Sequence, residues 1–317
     1  MLLINRKQSD PFFNIAAEEY FLKSFDDEFV MVWQNNPSVV IGKHQNTFAE
    51  INTSYLGEKN IPVIRRISGG GTVFHDDGNL NYSLITKSEK REQLVDFTSF
   101  TTPIIEFLKL IDLKAEFSGK NNLTINGKKF SGNSAHVHKK RVLHHGTLLF
   151  DSNLNVLEKA ITPADYKITD KAVKSVRAEV TNLSTLIKDS ITITEFQTKF
   201  LSFIRSYYNI TEEYELTEND INNINKLVDT KYSKWEWNYG YSPSFTINNK
   251  IEKVSIIMEV EKGIIKTISI DGNLKSKNLV CKLLKGLPAD KTQILNCFKS
   301  LAFSEKIKQR YLSLLGY

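Results

Sequence analysis

The residues best suited to chemistry in this sequence form a glycine-rich stretch at positions 65–76, which reads RRISGGGTVFHD. Consecutive glycines cost backbone entropy, so a chain retains them where it needs a conformation or a close approach that only glycine permits. A tight turn of this kind lines up bare N–H groups into a concave anion site. Arg65 and Arg66 stand just upstream with forked, permanently charged donors. The stretch therefore predicts a site for a phosphate or a carboxylate.

A glycine-rich surface turn between two strands is the simpler interpretation of the same letters. The flanking arginines and the apolar pair Val73 and Phe74 favour the functional interpretation. The loop matches neither of the common nucleotide motifs. A Walker loop would require Gly-Lys-Ser/Thr at a helix start, and a dinucleotide fingerprint would require a third glycine where Phe74 stands.

Followed by Gly78 and Asn79, residues 65–76 resemble the RR-x-SGGG-x-VFHD-x-GN signature of lipoate-protein ligases. This family is a branch of the biotin and lipoate ligase superfamily, which resembles class II aminoacyl-tRNA synthetases in fold and activates a carboxylic acid as an acyl adenylate. The resemblance implies an α+β chain with a mixed-sheet catalytic domain and a small α+β accessory domain at the C-terminal end. It also implies that ATP or lipoyl-AMP is bound by Arg66, Ser68, Gly69, Gly70, Gly71, Thr72, Val73 and Phe74.

A second informative stretch reads NNLTINGKKFSGNSA at residues 121–135. Asn126 and Gly127 predict a two-residue hairpin turn, because both central residues of a type I′ turn need positive φ. Strict alternation beyond this turn predicts one face of the strand that carries Lys129, Ser131 and Asn133. Lys128 falls on the opposite face and is expected to reach solvent.

Two adjacent lysines on a hairpin are usually both solvated. Here, however, residues 129–135 resemble the family's K-x-SG-x-A motif, whose lysine contacts both the acid and the nucleotide phosphate. The resemblance therefore identifies Lys129 as the catalytic lysine. It also places Asn121 and Asn122 at the nucleotide, although the family usually has Asp where Asn122 stands, so the identity of any metal ligand stays unknown.

The pocket for the lipoyl group is likewise implied by the resemblance. Trp33 matches a tryptophan of that pocket, although a lone tryptophan is more often part of a core. Residues 143–150 read as a strand and match the family's HHGTLL, and a core strand with two polar histidines is the simpler interpretation. These matches assign the lipoyl pocket to Trp33, His75, His145, Gly146 and Thr147.

The composition is that of an ordinary globular chain, with 317 residues, 41% apolar and 25% charged, which predicts about two domains. No apolar run approaches the roughly 18 residues that span a bilayer, and residues 1–7 turn polar too soon for a signal peptide. An intracellular, cytoplasmic protein without a membrane partner is therefore expected. Cys281 and Cys297 lack any zinc-ligand spacing and indicate no disulfide scaffold.

Residues 235–240 match the WEWN-[FY]-G that closes the family's catalytic domain, and Pro243 ends a plausible linker. We therefore expect a catalytic domain at residues 1–243 and an accessory domain at residues 244–317. The accessory segment holds 13 Lys+Arg against 6 Asp+Glu, whereas residues 1–243 hold 29 against 30. Such an excess is either a solvated lysine-rich surface or a face that steers an acidic macromolecule.

Together these matches predict a lipoate-protein ligase, in which the lipoate carboxylate attacks the α-phosphate of ATP and the acyl group then passes to an acceptor lysine. The implied acceptors are the lipoyl domains of 2-oxoacid dehydrogenase E2 subunits and the glycine cleavage H protein, and Mg²⁺ is expected with ATP. Two alternatives stay open. One is an ATP-independent octanoyl or lipoyl transferase of the same superfamily, and the other is a nucleic-acid-binding module that uses the basic C-terminal segment. No nucleic-acid partner is expected, because no aromatic RNA-binding platform occurs.

Overall fold

The computed structural model describes residues 1–87, 95–163, 167–299, 301 and 303–317. The contacts among them divide the chain into two compact units. Unit 1 comprises Met1–Lys43, Pro62–Glu158 and Ser175–Ser233, and unit 2 comprises His44–Ile61, Lys159–Lys174 and Lys234–Tyr317. The functional division of the chain after residue 243 stays a prediction.

The strands, in chain order, are β1 (Leu2–Asn5), β2 (Phe29–Trp33), β3 (Ser38–Ile41), β4 (Val63–Arg65), β5 (Val73–His75), β6 (Asn79–Lys87), β7 (Glu116–Ser118), β8 (Asn122–Ile125), β9 (Lys128–His138), β10 (Arg141–Leu149), β11 (Lys167–Asp170), β12 (Phe245–Ile251), β13 (Val254–Glu261) and β14 (Ile264–Asp271). The α-helices are α1 (Pro11–Ser24), α2 (Thr47–Glu50), α3 (Thr53–Lys59), α4 (Phe97–Leu110), α5 (Leu154–Ile161), α6 (Ile193–Tyr207), α7 (Glu218–Leu227), α8 (Lys277–Leu284), α9 (Lys291–Lys299) and α10 (Glu305–Leu315). Two π-helical turns cover Val228–Tyr232 and Glu236–Gly240.

The strands of unit 1 form a seven-stranded sheet, in the order β1-β2-β6-β10-β9-β8-β7, and a three-stranded sheet, in the order β4-β3-β5. Both sheets are mixed. β1 runs parallel to β2 and β3 runs parallel to β4, while the other pairs are antiparallel. This mixed-sheet α+β architecture confirms the fold class expected from the sequence.

One face of the seven-stranded sheet is apolar and carries the main core of unit 1. Residues paired across neighbouring strands share a face, and the pairs Val32 with Tyr82 and Leu80 with Leu148 lie on this one. They belong to the same core cluster as buried residues of α4 and α6, namely Phe100, Ile104, Phe107, Phe196, Phe200 and Ile204. Burial of apolar surface, at about 25 cal/mol per Å², stabilises this layer.

The opposite face of the sheet is polar and lies against α1. It carries Ser83, His145 and Ser134, which are paired side by side on β6, β10 and β9. Asp10 caps α1 by accepting hydrogen bonds from the first two free amides of the helix, and a proline opens its first turn. Because α1 is buried along almost its whole length, its Glu18 is buried as well.

A β-bulge near the start of β9 changes the alternation that the sequence predicts. Thr124 pairs with Lys129, but the neighbouring Leu123 pairs with Ser131, so Phe130 is an extra residue in β9. The bulge moves Ser131 to the face opposite Lys129. Only a pairing register, which is a long-range property, reveals this extra residue.

Strict alternation places Lys129 and Asn133 on one face, and this prediction is wrong across the bulge. Asn133 lies on the core face, where its Oδ1 accepts a hydrogen bond of 2.6 Å from the Tyr82 hydroxyl. Lys129 instead shares the polar face with Gly132 and Ser134. The lysine therefore lies on the same side of the sheet as the paired histidine and serines.

Two apolar runs at residues 29–42, separated by Asn35, Asn36 and Pro37, have the pattern of a hairpin, but the structure does not pair them. β2 belongs to the seven-stranded sheet and β3 to the three-stranded sheet. Every residue of both strands is buried. The side chain of Asn35 ties the connection to α1 and β5. By contrast, the turn at Asn126 and Gly127 is confirmed, with φ angles of 51° and 77°.

Unit 2 has a sheet and a core of its own. Its strands follow the order β11-β12-β13-β14 and are all antiparallel. Alternate residues of β13 are buried, and they share a core with α8, α9 and α10 and with Phe48 of α2. Among the residues that the structure describes, no helix is both long enough and apolar enough to cross a bilayer.

Candidate active site

The glycine loop of unit 1 is held in shape by the side chain of Arg66. Its buried guanidinium donates from Nη2 to the carbonyl oxygens of Gly69 at 2.6 Å and Gly71 at 2.8 Å, and from Nε to Ser68 Oγ at 2.9 Å. A bond of 3.1 Å to the Val40 carbonyl ties the guanidinium to β3. Burial lowers the pKa of Arg66 to about 10, which leaves it charged at neutral pH. Arg66 therefore directs most of its donors at the loop itself.

This bracing turns amide groups of the loop outward. The C=O and the N–H of a trans peptide point in opposite directions, so the Gly69 carbonyl that faces Arg66 sends the Gly70 N–H away from it. Within the described part of the chain, the N–H groups of Gly69, Gly70 and Gly71 have no hydrogen-bond acceptor. Gly70 has a φ of 83°, in the left-handed region that favours glycine. The loop therefore offers adjacent amide donors to an anion.

Arg65, the other arginine of the motif, is fully buried. Its Nη1 donates to the carbonyl oxygens of Gly42 at 3.0 Å and Lys43 at 3.1 Å. The pattern of two arginines before the glycines predicts forked donors for a ligand. In the structure both guanidinium groups bind main-chain carbonyls and shape the turn.

Lys129 places a further positive charge beside the loop. Its ammonium lies over Gly132, since a Cβ at that glycine would be 2.9 Å from Nζ, which explains the glycine three residues after the lysine. Burial, followed by the charge of Arg66, lowers the pKa of Lys129. On the same face, Ser134 donates to the carbonyl oxygen of Gly69 at 2.8 Å. The lysine strand and the glycine loop are therefore bonded into one cationic site.

The segment from Ser175 to Glu179 borders both parts of this site. Ser175 Oγ accepts a hydrogen bond of 2.9 Å from the N–H of Thr72, and the Glu179 carbonyl accepts one of 2.8 Å from the N–H of Lys129. Lys128 faces solvent and forms an exposed salt bridge of 2.6 Å with the Glu179 carboxylate, a kind of pair that contributes little to stability. The predicted solvent position of Lys128 is confirmed.

A line of buried hydrogen bonds runs from the loop to α1. Ser68 Oγ lies 2.6 Å from Nε2 of His145, and Nδ1 of His145 lies 3.0 Å from both carboxylate oxygens of Glu18. Ser83 donates to the same carboxylate, and Trp33 Nε1 donates to Ser83 Oγ at 3.3 Å. Burial alone would raise the pKa of Glu18, but the interactions with His145 and Ser83 lower it overall. Glu18 is therefore ionised.

His75 lies beside Trp33, with ring centroids 5.9 Å apart. Its Nδ1 is 3.1 Å from Nδ2 of Asn35, whose Oδ1 accepts a bond of 2.9 Å from Asn14. This chain of amides makes Nδ1 an acceptor and assigns the imidazole proton to Nε2. Burial, followed by nearby positive charge, lowers the pKa of His75 to about 3. The ring is neutral, and its Nε2–H has no partner among the described residues.

Two predicted pocket residues on β10 lie on opposite faces. Thr147 is on the polar face, where its Oγ1 accepts a bond of 3.3 Å from the N–H of Gly132. Gly146 is on the core face, because a Cβ there would lie 2.1 Å from Asn133 Oδ1 and 2.7 Å from the Tyr82 hydroxyl oxygen. The glycine leaves room for that buried hydrogen bond rather than lining the polar face.

The two asparagines that precede the hairpin also differ. Asn121 exchanges hydrogen bonds with Asn133, including one of 2.9 Å between main-chain groups, and so supports the strand. Asn122 pairs with Gly132 and therefore shares a face with Lys129. Of the two, only Asn122 has its side chain on the polar face.

Val73 and Phe74 carry the loop into β5, where they pair with Val40 and Val39. Phe74 is buried and Val73 half-buried, so this end of the loop is fixed to the three-stranded sheet. No group of three His, Cys, Asp or Glu that could hold a metal ion occurs among the described residues. The site offers amide donors and an ammonium, a combination that stabilises phosphate charge.

Residues 10–205 match the family model described as the lipoyl protein ligase A/B catalytic domain. The lipoate-protein ligase LplJ of Bacillus subtilis is 40% identical over 282 residues, which cover 86% of this chain and 85% of that protein. The chain belongs to the lipoate-protein ligase family. This finding confirms the family predicted from the glycine-rich signature.

Solved structures of this family have the same fold. The P. falciparum LipL1 structure, in complex with lipoate, covers 100% of this chain and 99% of its own, with a TM-score of 0.66 and 25% identity. A lipoate-protein ligase A bound with ATP covers 76% of this chain and 98% of its own, with a TM-score of 0.66 and 24% identity. The second comparison, at its lower identity, supports the fold alone.

The lipoate-protein ligase motifs lead to most of this site but not to all of it. The motifs do not predict Glu18 of α1, Ser83 of β6 or Asn35 of the β2–β3 connection. These three residues contact motif residues through hydrogen bonds. One signal for Glu18 is present in the sequence. The helix PFFNIAAEEYF is apolar on nearly every side, and a carboxylate inside such a helix is buried and needs a partner.

Proposed function

We propose that this chain joins lipoate to ATP, forming lipoyl-AMP and pyrophosphate, and then passes the lipoyl group to a lysine of an acceptor lipoyl domain. The observation that carries the proposal is the loop of outward amides bonded to the Lys129 strand, in a chain of the lipoate-protein ligase family. Both half-reactions create or move negative charge at this point. Fixed donors and a fixed cation are what such transition states require.

In the first step the lipoate carboxylate attacks the α-phosphorus of ATP, a new P–O bond forms, and pyrophosphate leaves. The amides of Gly69, Gly70 and Gly71 are proposed to bind phosphate oxygens, while Arg66 keeps the loop in shape. The Lys129 ammonium lies on the same face and is proposed to bridge the acid and the α-phosphate. No side chain acts as a nucleophile, because the substrate supplies its own.

Ser68 and Thr72 belong to the same proposed nucleotide site through the loop, and Asn122 through its position on the face of Lys129. For Asn121, Val73 and Phe74 the contacts support a role in holding that site. In the second step the acceptor amine forms a C–N bond with the acyl carbon, and the C–O bond to AMP breaks.

The proposed lipoyl pocket contains Trp33, His75, His145 and Thr147. These residues are buried or half-buried on or beside the polar face. The resemblance places Gly146 in the pocket with them, and its contribution is proposed to be steric room within the sheet. A neutral His75 suits an apolar acyl chain, because a charged ring there would have to be desolvated without a partner.

Magnesium enters the proposal as part of the substrate, Mg·ATP. A magnesium ion prefers oxygen ligands and is commonly held by one or two carboxylates together with the phosphates. The polar face has a buried carboxylate, Glu18, but its oxygens already accept hydrogen bonds from Ser83 and His145. Glu18 is therefore not free to bind the ion, and among the described residues no group of three His, Cys, Asp or Glu could hold a metal.

The proposed acceptors are the lipoyl domains of 2-oxoacid dehydrogenase E2 subunits and the glycine cleavage H protein, with the cytoplasm as the location. We further propose that residues 1–243 suffice for adenylation and that residues 244–317 serve the acceptor step. Every residue assigned to the nucleotide or the acid lies before residue 150, which supports this division.

The test is ATP–pyrophosphate exchange with a panel of acids, followed by transfer to an apo lipoyl domain. Exchange that depends on lipoate is expected. Acyl transfer from a carrier protein without ATP would favour the octanoyl or lipoyl transferase, and salt-dependent retention on RNA or DNA without exchange would favour a nucleic-acid module. The panel must include octanoate, because one methylene in an apolar pocket changes binding by only about 1–3 kcal/mol.

A further inference from the structure

The hydrogen bonds between the glycine loop and α1 all run toward one group, the Glu18 carboxylate. An ionised carboxylate only accepts, so Nδ1 of His145 must carry a proton to bond it at 3.0 Å. The Ser83 hydroxyl also donates to the same carboxylate. Glu18 therefore fixes the polarity of every bond that reaches it.

The same polarity continues to the loop. In the Nδ1–H tautomer of His145, Nε2 is an acceptor and lies 2.6 Å from Ser68 Oγ. Ser68 Oγ already accepts from Nε of Arg66 at 2.9 Å, which leaves its own hydrogen free to donate to the ring. Ser68 and His145 thus each have one donor and one acceptor role in this line. Arg66 in turn bonds the Gly69 carbonyl that faces it.

The buried charges of Arg6 and Arg66 also need the Glu18 carboxylate as a counter-ion. Arg6 and Arg66 are both buried, and burial lowers the pKa of each to about 10, an effect that the charge of Glu18 opposes. The Arg6 guanidinium lies 4.8 Å from the centre of the Trp33 ring. Removing one partner from a buried set of charges is costly, because the others are left uncompensated. Glu18 is therefore the counter-ion as well as the end point of the hydrogen bonds.

We propose that Glu18 is a positioning residue that sets the shape of the nucleotide loop through His145 and Ser68, so that the acid pocket and the phosphate site respond to each other. The inference rests on the proposed function, since Trp33 and His145 belong to the pocket and Ser68 to the loop. Glu18 itself does not touch the reacting atoms in this proposal. Its effect is carried by the tautomer of one histidine.

The experiment compares Glu18→Gln with Glu19→Gln in the full chain. Glu19 is the adjacent residue of α1 and is equally buried, but it bonds Lys23 and Lys231, each at 2.6 Å, and not the relay. Glutamine keeps the size of glutamate, removes its charge and places an N–H donor at one oxygen position. That donor conflicts with a proton on Nδ1 of His145.

Glu18→Gln is expected to raise the KM for ATP in pyrophosphate exchange about tenfold or more, the scale of one lost charge-assisted hydrogen bond. The KM for lipoate should rise with it. Histidine ¹⁵N spectra should show His145 in the Nδ1–H tautomer in the unmodified chain and not in this variant. Glu19→Gln should lower the melting temperature while leaving both KM values within about twofold. Equal KM effects in the two variants would overturn the proposal.

Ser68→Ala supplies a second test that does not depend on the folding of Glu18→Gln. It removes the bond between His145 and the loop but leaves the buried charges in place. The same rise in KM for ATP is expected, and the double variant should show little further rise, because both changes break one relay. Additive effects would contradict the relay. The tautomer can be read without any substrate, so a failure of the proposed function would show separately, as an unmodified chain without lipoate-dependent exchange.

Discussion

His144 and His145 are neighbours on β10, yet they occupy unlike environments on the two faces of the seven-stranded sheet. His144 stacks on Phe100, with ring centroids 5.0 Å apart, and neither of its ring nitrogens has a partner among the described residues. His145 has a partner at each nitrogen, Ser68 at one and Glu18 at the other. The His144 ring packs in the core, whereas the His145 ring connects the Ser68 hydroxyl to the Glu18 carboxylate through hydrogen bonds. Successive side chains of a strand point to opposite faces of the sheet, so the position in the strand, and not the residue type, decides which environment each histidine occupies.

The two lysines at the start of β9 repeat this contrast. Lys128 is exposed and paired with Glu179, whereas Lys129 lies over Gly132 with a lowered pKa. Such adjacent pairs provide matched controls, because each member differs from its neighbour chiefly in the face it occupies.

The largest effect is expected from Lys129→Ala, which should lower the rate of adenylate formation about 10²–10³-fold, the range for losing one preorganised electrostatic group. Lys128→Ala should stay within about twofold, because an exposed ion pair contributes little. Pyrophosphate release with saturating lipoate measures both. Similar losses in the two variants would show that the bulge does not separate them functionally.

Gly70→Val should weaken nucleotide binding about tenfold or more, the scale of one lost charge-assisted hydrogen bond. A branched side chain at a φ of 83° is strained, and its Cβ would lie 3.1 Å from Arg66 Nη2. Gly286→Val is the control, since Gly286 has a φ of 89° with nothing within 4 Å of the added Cβ. Both variants should lose about 1–3 kcal/mol of stability to backbone strain. Normal nucleotide affinity in Gly70→Val would show that the loop is a structural turn and does not bind the nucleotide.

His144→Phe should make the protein less sensitive to acid without changing exchange activity. Burial, followed by His145, lowers the pKa of His144 from 6.5 to about 4, so the unfolded chain binds more protons between these values. Stability is therefore present above pH 6.5 and is lost as pH falls toward 4. Between pH 7 and pH 5 the variant should lose about 2 kcal/mol less of its unfolding free energy than the unmodified chain.

Urea denaturation at the two pH values measures this difference. If the unfolding free energy fell by the same amount between pH 7 and pH 5 in both proteins, His144 would not titrate as its burial implies. Exchange activity at pH 7.5 is the control and should be retained, because His144 faces the core and not the site.

The smallest effect is expected in unit 2. Neutralising the exposed Lys275, Lys282 and Lys285 with glutamine should slow transfer to an acidic lipoyl domain by less than about tenfold and flatten its dependence on salt. Lys277 is left unchanged, because its Nζ donates to the Gly272 carbonyl at 3.0 Å. Adenylate formation should not change. An unaltered salt slope would assign these lysines to solubility alone.

Local chemistry predicts several parts of this molecule from the sequence. The turn at Asn126 and Gly127 and the solvent position of Lys128 depend on neighbours within a few residues. The role of Arg66 is harder to predict, because its acceptors are carbonyls whose direction depends on the folded loop. The ligand contact of Arg66 stays a prediction, whereas its contacts within the chain show the side chain bracing the loop.

The bulge at Phe130 and the partners of Glu18 are not readable from local pattern at all. A bulge is defined only by pairing between strands. Glu18 meets Ser83 and His145 across separations of 65 and 127 residues. Contacts at such distances are set by topology, so no window along the chain contains both partners.

Because of the bulge in β9, the number of residues between two positions on this strand overstates their separation along the sheet. Lys129 and Gly132 are three residues apart, but their partners Thr124 and Asn122 are only two apart, which corresponds to about 6.6 Å along a strand. The extra residue, Phe130, delivers a ring to the core and leaves the ammonium above the glycine. To locate the equivalent lysine in another chain, residues should therefore be counted along β8, which has no extra residue, and not along β9.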